Sequence, residues 1–421
     1  MYLHLDRDDE PWSVHLEIQV EGTIDEQRLT AAVREAALLH PIARARLADS
    51  RATDVRYHWE IHDELEHVPL QTVDCGADHA AVGRAREELL SRTPPLDRPG
   101  PFALLLAHRD DGDTLALNLH HAAGDGMSAL RLMGSIARAY AGVADPLPPI
   151  EPGEERDIRA LAGAGSLGER LNRSRAALEY LVRGAAPPVR VAPDGGNGAP
   201  GYGFELLKLD RDEVERVLSH RRDGATVNDV LLGGLAVAIR KWNEQHDEPS
   251  GATYLMMPIN LRPPEWRFEV VGNYASYVTV QIAGSDTADL DSAIAAAAAR
   301  TRKIKENGIA GLIVDLYEMP AALPSGVKKR IQNLIPLTGN LVVDTAVLSN
   351  LGRLEGVPHL GDAGAVQAVW FSPPGRMPLG ASFGTATRDD ELFVTLRYRH
   401  ALLDAAAANA LAALYRQVLV G

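Results

Sequence analysis

The chain has 421 residues, 46% hydrophobic and 24% charged, with 43 Lys and Arg against 57 Asp and Glu for a formal charge of −14. At about 150 residues per domain this is enough for two or three domains with full cores, and no apolar run reaches the roughly 18–20 residues of a bilayer crossing. The acidity opposes nucleic-acid phosphate and anionic lipid, and a single cysteine, Cys75, excludes an internal disulfide and a zinc site built from several cysteines.

The segment SVHLEIQVEG alternates apolar and polar residues with the period of a half-buried strand and ends at Gly22. In TIDEQRLTAAVREAALLH, Leu29, Ala32, Val33, Ala36 and Ala37 recur at helical spacing until Pro41 stops the run. DVRYHWEIH and VPLQTV read as short strands, and ADHAAVGRAREELLSR as a helix ended by Pro94 and Pro95. PFALLLAH and TLALNLH, joined by RDDGD, read as a hairpin that delivers the chain to His120 and His121. Leu130, Met133, Ile136, Ala137 and Tyr140 then form one helical stripe closed by Gly142.

From Pro146 to Gly203 the composition shifts to proline at both ends and PDGGNGAPGYG near the close, with one helical candidate, SLGERLNRSRAALEYLVRG, between. This stretch is expected to be an interdomain crossover. Beyond it come a strand (FELLKL), a helix (RDEVERVLSH) and ATVNDVLLGGLAVAIRKW, where Thr226 and Asp229 have capping-box spacing. TYLMMPI and NYASYVTVQI read as strands, and an alanine-rich helix runs from about Ser292 to Gly308. TAVLSNLG, AVQAVWFS and ASFGTATRDDELFVTLRYR are further strands, and AAAANALAALYRQVLV is a closing helix. With strands and helices mixed in both halves and no fixed-period repeat, the pattern predicts two α/β lobes.

The string that carries chemistry is His120-His121-Ala122-Ala123-Gly124-Asp125-Gly126. Adjacent residues at a strand end face opposite sides, so only one histidine naturally meets a given cavity. Histidine supplies a base of near-neutral pKa, and the helix that starts behind Gly126 presents N–H groups and a positive dipole end suited to an oxyanion. The same residues read equally well as polar groups satisfied at a strand end, with Asp125 an N-cap.

The string resembles the His-His-x-x-x-Asp-Gly signature of the superfamily of chloramphenicol acetyltransferase, nonribosomal-peptide condensation domains, mycobacterial polyketide-associated acyltransferases and wax ester synthases. VEGTIDEQRLTAAVREAALLHPIARARL and PPLDRPGPFALLLAH resemble the segments leading to that signature, and TVNDVLLGGLAVAIRKW, MPINLRP, VGNYASYVTV and LSNLG follow in the order of the free-standing acyltransferase branch. The resemblance spans most of the chain. It implies an α/β fold of two chloramphenicol acetyltransferase-like lobes, each a mixed sheet with flanking helices, with the active-site tunnel between them; the lobes are placed at 1–180 and 181–421, with the crossover at about 146–203.

For the matching positions the resemblance implies that His121 is the general base, that Asp125 turns away from the acceptor to pair with an arginine, for which Arg262 of NLR is the candidate, that Gly126 permits close approach, and that His120 packs or hydrogen-bonds. It implies an acyl donor that is a coenzyme A or phosphopantetheinyl carrier-protein thioester, used as co-substrate, with a hydroxyl or amine acceptor. No bound cofactor or metal is called for. An activated thioester carbonyl and a thiol leaving group of pKa about 8.5 need one base, with neither a metal nor an acyl-enzyme.

Weaker signals have two readings each. Ser349 and Asn350 in LSNLG are oxyanion donors or turn residues; Asn273 contacts substrate or makes a turn; Lys328, Lys329 and Arg330 meet the donor's phosphates or form a solvated helix face. His400 lacks the rest of the motif, and Cys75 has no basic neighbour in sequence to activate it. The Gln-Asp-x-Pro-Phe-Glu string of peptide-synthetase condensation domains is not found, and no carrier or adenylation segment is expected within these residues. The start MYLHLDRDDEPW has neither segment of an export signal. The expectation is therefore a stand-alone, cytoplasmic, monomeric acyltransferase or condensation enzyme of natural-product or lipid biosynthesis, with no nucleic-acid partner and no membrane insertion. The alternative is a non-catalytic relative that recruits a carrier protein or a tailoring enzyme.

Overall fold

The structure is a computed structural model that describes residues 3, 11–146, 166, 168, 187–222, 224–249, 251–266, 271–309, 323–331, 344–354, 359–375 and 380–421. The helix expected in SLGERLNRSRAALEYLVRG, and most of the crossover, lie outside the described residues. The first half runs β1 (Ser13–Val20), α1 (Glu26–Leu39), β2 (Ala45–Leu47), β3 (Trp59–Ile61), β4 (Leu70–Gly76), α2 (His79–Leu90), β5 (Phe102–Arg109), β6 (Thr114–His120) and α3 (Gly126–Ala141). The second runs β7 (Tyr202–Leu209), α4 (Arg211–Ser219), α5 (Val227–Gln245), β8 (Thr253–Asn260), β9 (Ala275–Ile282), α6 (Leu290–Glu306) and α7 (Ser325–Ile331). It closes with β10 (Ala346–Arg353), β11 (Val366–Ser372), β12 (Ala381–Arg388), β13 (Glu391–Arg399) and α8 (Ala405–Val420).

Two sheets organise these elements. The first has the order β11-β1-β6-β5-β4 and the second β7-β13-β12-β10-β8-β9, both mixed: β4 runs parallel to β5, and β10 parallel to β12 and β8. On the first sheet Val14, Leu16, Ile18 and Val20 pack with the apolar stripes of α1 and α3. On the second, α5, α6 and α8 cover one face through residues such as Leu231, Leu235, Ile294 and Leu411. The capping boxes are formed: Asp210 with Glu213 ahead of α4 and Thr226 with Asp229 ahead of α5. Asp389 and Asp390, both at positive φ (50° and 66°), turn β12 back into β13 as an antiparallel pair.

A boundary near residue 180 does not separate the sheets. β11, from late in the chain, crosses to the first sheet and pairs antiparallel with β1 from His15↔Ser372 to Val20↔Val366. It also presses against β12 so closely that a Cβ at Gly384 would overlap the carbonyl oxygen of Phe371.

β1 is buried on both faces, not on one as its alternation suggests. His15 and Glu17 lie under the second sheet and α2, where Glu17 accepts both Arg86 Nε and Nη2 at 2.6 and 2.7 Å and His15 Nε2 lies 3.2 Å from the same carboxylate. Arg397 of β13 enters this seam with 1% of its surface exposed, its guanidinium 4.4 Å from the Tyr202 ring and 5.5 Å from that of Phe204. Its Nη1 donates to the Ser13 carbonyl at 3.3 Å, but Nε and Nη2 have no acceptor among the described residues. Burial brings its pKa down to about 10, so it is still a cation at neutral pH. A buried cation without a carboxylate is destabilising, and the ring faces return only part of that. Arg397→Met should therefore raise stability by about 1–4 kcal/mol in urea unfolding. A lower midpoint would show that the guanidinium is a net stabiliser.

Candidate active site

β6 ends at His120, whose Nδ1 accepts the Ala122 N–H at 3.0 Å and so turns this imidazole into the loop. His121 therefore projects to the other side. Its N–H donates to the Trp12 carbonyl at 3.0 Å, one rung beyond the β1–β6 ladder. Its Nδ1 lies 3.0 Å from the carbonyl oxygen of Gly124. Asn273 Nδ2 lies 3.2 Å from the same nitrogen. A carbonyl only accepts, so the shorter contact, to Gly124, assigns the ring proton to Nδ1 and leaves Nε2 as the basic nitrogen. Burial lowers the imidazole pKa below its ordinary 6.5, against the upward pull of the Gly124 hydrogen bond and of Asp125, so the ring is neutral at pH 7.

Asp125 is the N-cap of α3, its Oδ1 accepting the Ser128 N–H at 3.0 Å. The same carboxylate takes a bidentate pair from Arg262, Nη1 to Oδ2 at 2.6 Å and Nη2 to Oδ1 at 2.9 Å, and accepts the Tyr274 N–H at 2.8 Å. Arg262 Nη2 also donates to Ser128 Oγ and to the Gly272 carbonyl, at 2.8 and 2.7 Å, and the guanidinium stacks on Tyr274 at 4.6 Å. Burial alone would raise the carboxyl pKa, but the Arg262 charge and hydrogen bonds, with the two N–H groups, outweigh it and hold it below the usual carboxylate value. Asp125 is thus fixed as an anion matched to one cation. It joins the turn of the first sheet to the β8–β9 loop of the second.

That loop also carries Asn273. Its Oδ1 accepts the Ala275 N–H at 3.1 Å, an Asx turn, while Nδ2 makes a short hydrogen bond to the His121 carbonyl. The turn reading and the site reading hold together: the turn aims the amide at the histidine loop.

A cleft with a volume of about 80 Å³ opens beside His121. Trp12, Val14 and Gly126 line it from the first sheet, Met256, Ser276, Tyr277, Val347 and Ser349 from the second, and Phe371, Pro373 and Pro374 from the crossing β11 segment. A Cβ on Gly126 would stand 2.7 Å from the Phe371 ring and 2.8 Å from a Leu351 methyl. Gly126→Ala should accordingly lose about 1–3 kcal/mol of stability by overpacking, read from its urea midpoint, and an unchanged midpoint would mean that Phe371 yields freely.

The structure brings His121, Asp125, Gly126, Arg262, Asn273 and Ser349 to one place. Asn350 goes elsewhere, donating to Asn228 Oδ1 at 2.6 Å and accepting the Gly352 N–H at 2.8 Å. Lys328 does not face the cleft: α7 clasps the loop at 51–55, with Ser325 N–H on the Asp54 carbonyl and Lys328 Nζ on the Val55 carbonyl, both at 2.7 Å. The side chains of Lys329 and Arg330 lie outside the described residues. The α3 N-terminus, read above as an oxyanion site, has Asp125 as its cap; the neutral side-chain donors among the lining residues are Ser276, Tyr277, Ser349 and the Trp12 indole. Cys75 is buried, and burial with the charges of Asp74 and Asp78 pushes its thiol pKa up. Among the described residues no cluster of three or more His, Cys, Asp or Glu is arranged to hold a metal ion, and no helix is long and apolar enough to cross a membrane. Sequence reasoning missed Ser276 and Tyr277, which sit on an ordinary strand pattern, and Trp12, which precedes one, with no local signal.

Residues 1–154 match the family model of the condensation domain. Over 415 residues the chain is 38% identical to the uncharacterized protein Rv2305 of Mycobacterium tuberculosis, an alignment that covers 97% of this chain and 94% of that one. The fold is similar to the first condensation domain of the calcium-dependent antibiotic synthetase, solved with a substrate analogue, at TM-score 0.70 and 15% identity over 97% of this chain and 91% of that one. The starter condensation domain of rhizomide synthetase, solved as a mutant with C8-CoA and Leu-SNAC, is similar at TM-score 0.64 and 14% identity over 99% and 90%. The chain belongs to the condensation-domain superfamily. Its two sheets are the two lobes of that fold, and the cleft beside His121 lies between condensation-domain lobes.

Proposed function

We propose that the protein transfers an acyl group from a coenzyme A or carrier-protein thioester to a hydroxyl or amine acceptor, with His121 as general base. The observation that carries this is the 3.0 Å contact of His121 Nδ1 with the Gly124 carbonyl, which assigns the ring proton to Nδ1 and offers Nε2 as the base beside an interlobe cleft. Nε2 takes the acceptor proton as the acceptor oxygen or nitrogen bonds to the thioester carbonyl carbon. The tetrahedral oxyanion, met by the hydroxyls of Ser276 and Ser349, collapses with cleavage of the C–S bond, and the leaving thiolate takes the proton from the imidazolium. Asp125 does not share that proton; it holds the loop through Arg262. The apolar walls of Val14, Met256, Val347 and Phe371 suit an apolar acyl or acceptor chain.

The test is release of free thiol from a panel of acyl thioesters, each with alcohol and amine acceptors, by the wild-type protein and by His121→Ala. Acceptor-dependent release that the substitution removes is the expected result. Equal behaviour of the two proteins across the panel would favour recruitment of a partner without catalysis.

A further inference from the structure

Trp12 stands one residue before β1 and belongs to none of the family strings, yet four observations place it against the histidine. Its indole and the His121 imidazole are stacked, with centroids 6.1 Å apart and planes 27° from parallel. Its carbonyl accepts the His121 N–H at 3.0 Å. It is only 7% exposed, and the surface it keeps lines the cleft. His121 is thereby held by its ring face and N–H through Trp12, by its carbonyl through Asn273, and by Nδ1 through Gly124.

We propose that Trp12 is a positioning residue for His121: its indole fixes the plane of the imidazole and keeps water from that face, so that Nε2 stays directed at the acceptor as a neutral base. This rests on the reading of His121 as the base. Among the described residues, the charged groups that act on the ring are Asp125 at the head of α3 and His120 on the same turn; Arg262, from the segment after β8, pairs with Asp125, and Tyr277 of β9 lines the same cleft. Asp125 and Arg262 compensate each other, so removing the indole changes the hydration of the imidazole more than the charge it experiences. Hydration favours the imidazolium, and the proton-binding midpoint moves up.

The experiment is an NMR titration of the histidine ring resonances, with His121→Gln to assign the signal, run beside thiol-release kinetics on the same proteins. In the wild type His121 should titrate below 6.5. In Trp12→Ala the midpoint should rise toward 6.5, while Trp12→Phe, which keeps a ring over the imidazole, stays near wild type. The acid limb of kcat/KM should move with it, and kcat should fall about 10- to 100-fold with KM less affected. Trp12→Gln, which keeps reach but wets the ring face, gives the same reading should the alanine variant not fold. An unmoved His121 titration in a folded variant overturns the role of Trp12, and if turnover still depends on His121 the acyl-transfer reading stands. A shifted titration in a protein that consumes no thioester supports the role of Trp12 and counts against that reading.

Discussion

His121→Ala is expected to slow acceptor-dependent thioester consumption by about 10²- to 10⁴-fold, the usual contribution of one general base. The fold should survive. The side chain is only partly buried, and the hydrogen bond lost to Gly124 is worth about 1 kcal/mol, so the urea midpoint moves little. The pH profile gives a second check. Burial places the folded-state pKa below 6.5, so the neutral base is present above that value and is lost only as pH falls through it. Wild-type kcat/KM should therefore stay level through neutrality and decline below pH 6.5, and the variant should lose that limb along with the rate. Wild-type turnover by a folded His121→Ala protein would remove the histidine from the mechanism.

The second large effect belongs to the ion pair. Asp125→Asn or Arg262→Met alone leaves one buried charge without its partner, which costs about 3–5 kcal/mol, and each should show this as a lower urea midpoint. The double variant should lose less than the sum, because neither charge is then stranded. The pH dependence follows from the depressed carboxyl: the pair stabilises the protein above the ordinary carboxylate pKa, and that stability drains away as pH falls through the lower folded-state value. Asp125→Asn should flatten this part of the acid limb. If Asp125→Asn is as stable as wild type but inactive, the carboxylate acts in the chemistry and not in holding the loop.

How far the residue pattern foretells these results depends on the range of the interaction. α1, α5 and the β5–β6 hairpin are written in local periodicity and turn residues, and they fold as that pattern requires. The turn from His120 to Gly126 is also local. Arg262 lies 137 positions from Asp125, and only its place in a family string drew attention to it. Partner choice across such distances depends on topology, which no short window contains. AVQAVWFS reads correctly as a strand but says nothing of joining the first sheet. The strand at 391–399 alternates polar Thr395 and Arg397 with apolar residues, yet both are buried, at 0% and 1% exposure. Trp12 looks like any aromatic before a strand until the fold stacks it on His121.

The crossing of β11 bears on how the protein is made. During synthesis β1 and β6 are in place early, but the neighbour on the other side of β1 is not translated until residues 366–372. Until then β1 shows an open row of backbone donors and acceptors, the kind of edge on which chains template one another. The wall of the cleft at Phe371 and Pro373 is missing over the same interval. A nascent chain that already carries its histidine motif thus has neither a closed first sheet nor a complete cleft, and a ribosome stall before Val366 would release a species prone to aggregate and not a half-active enzyme.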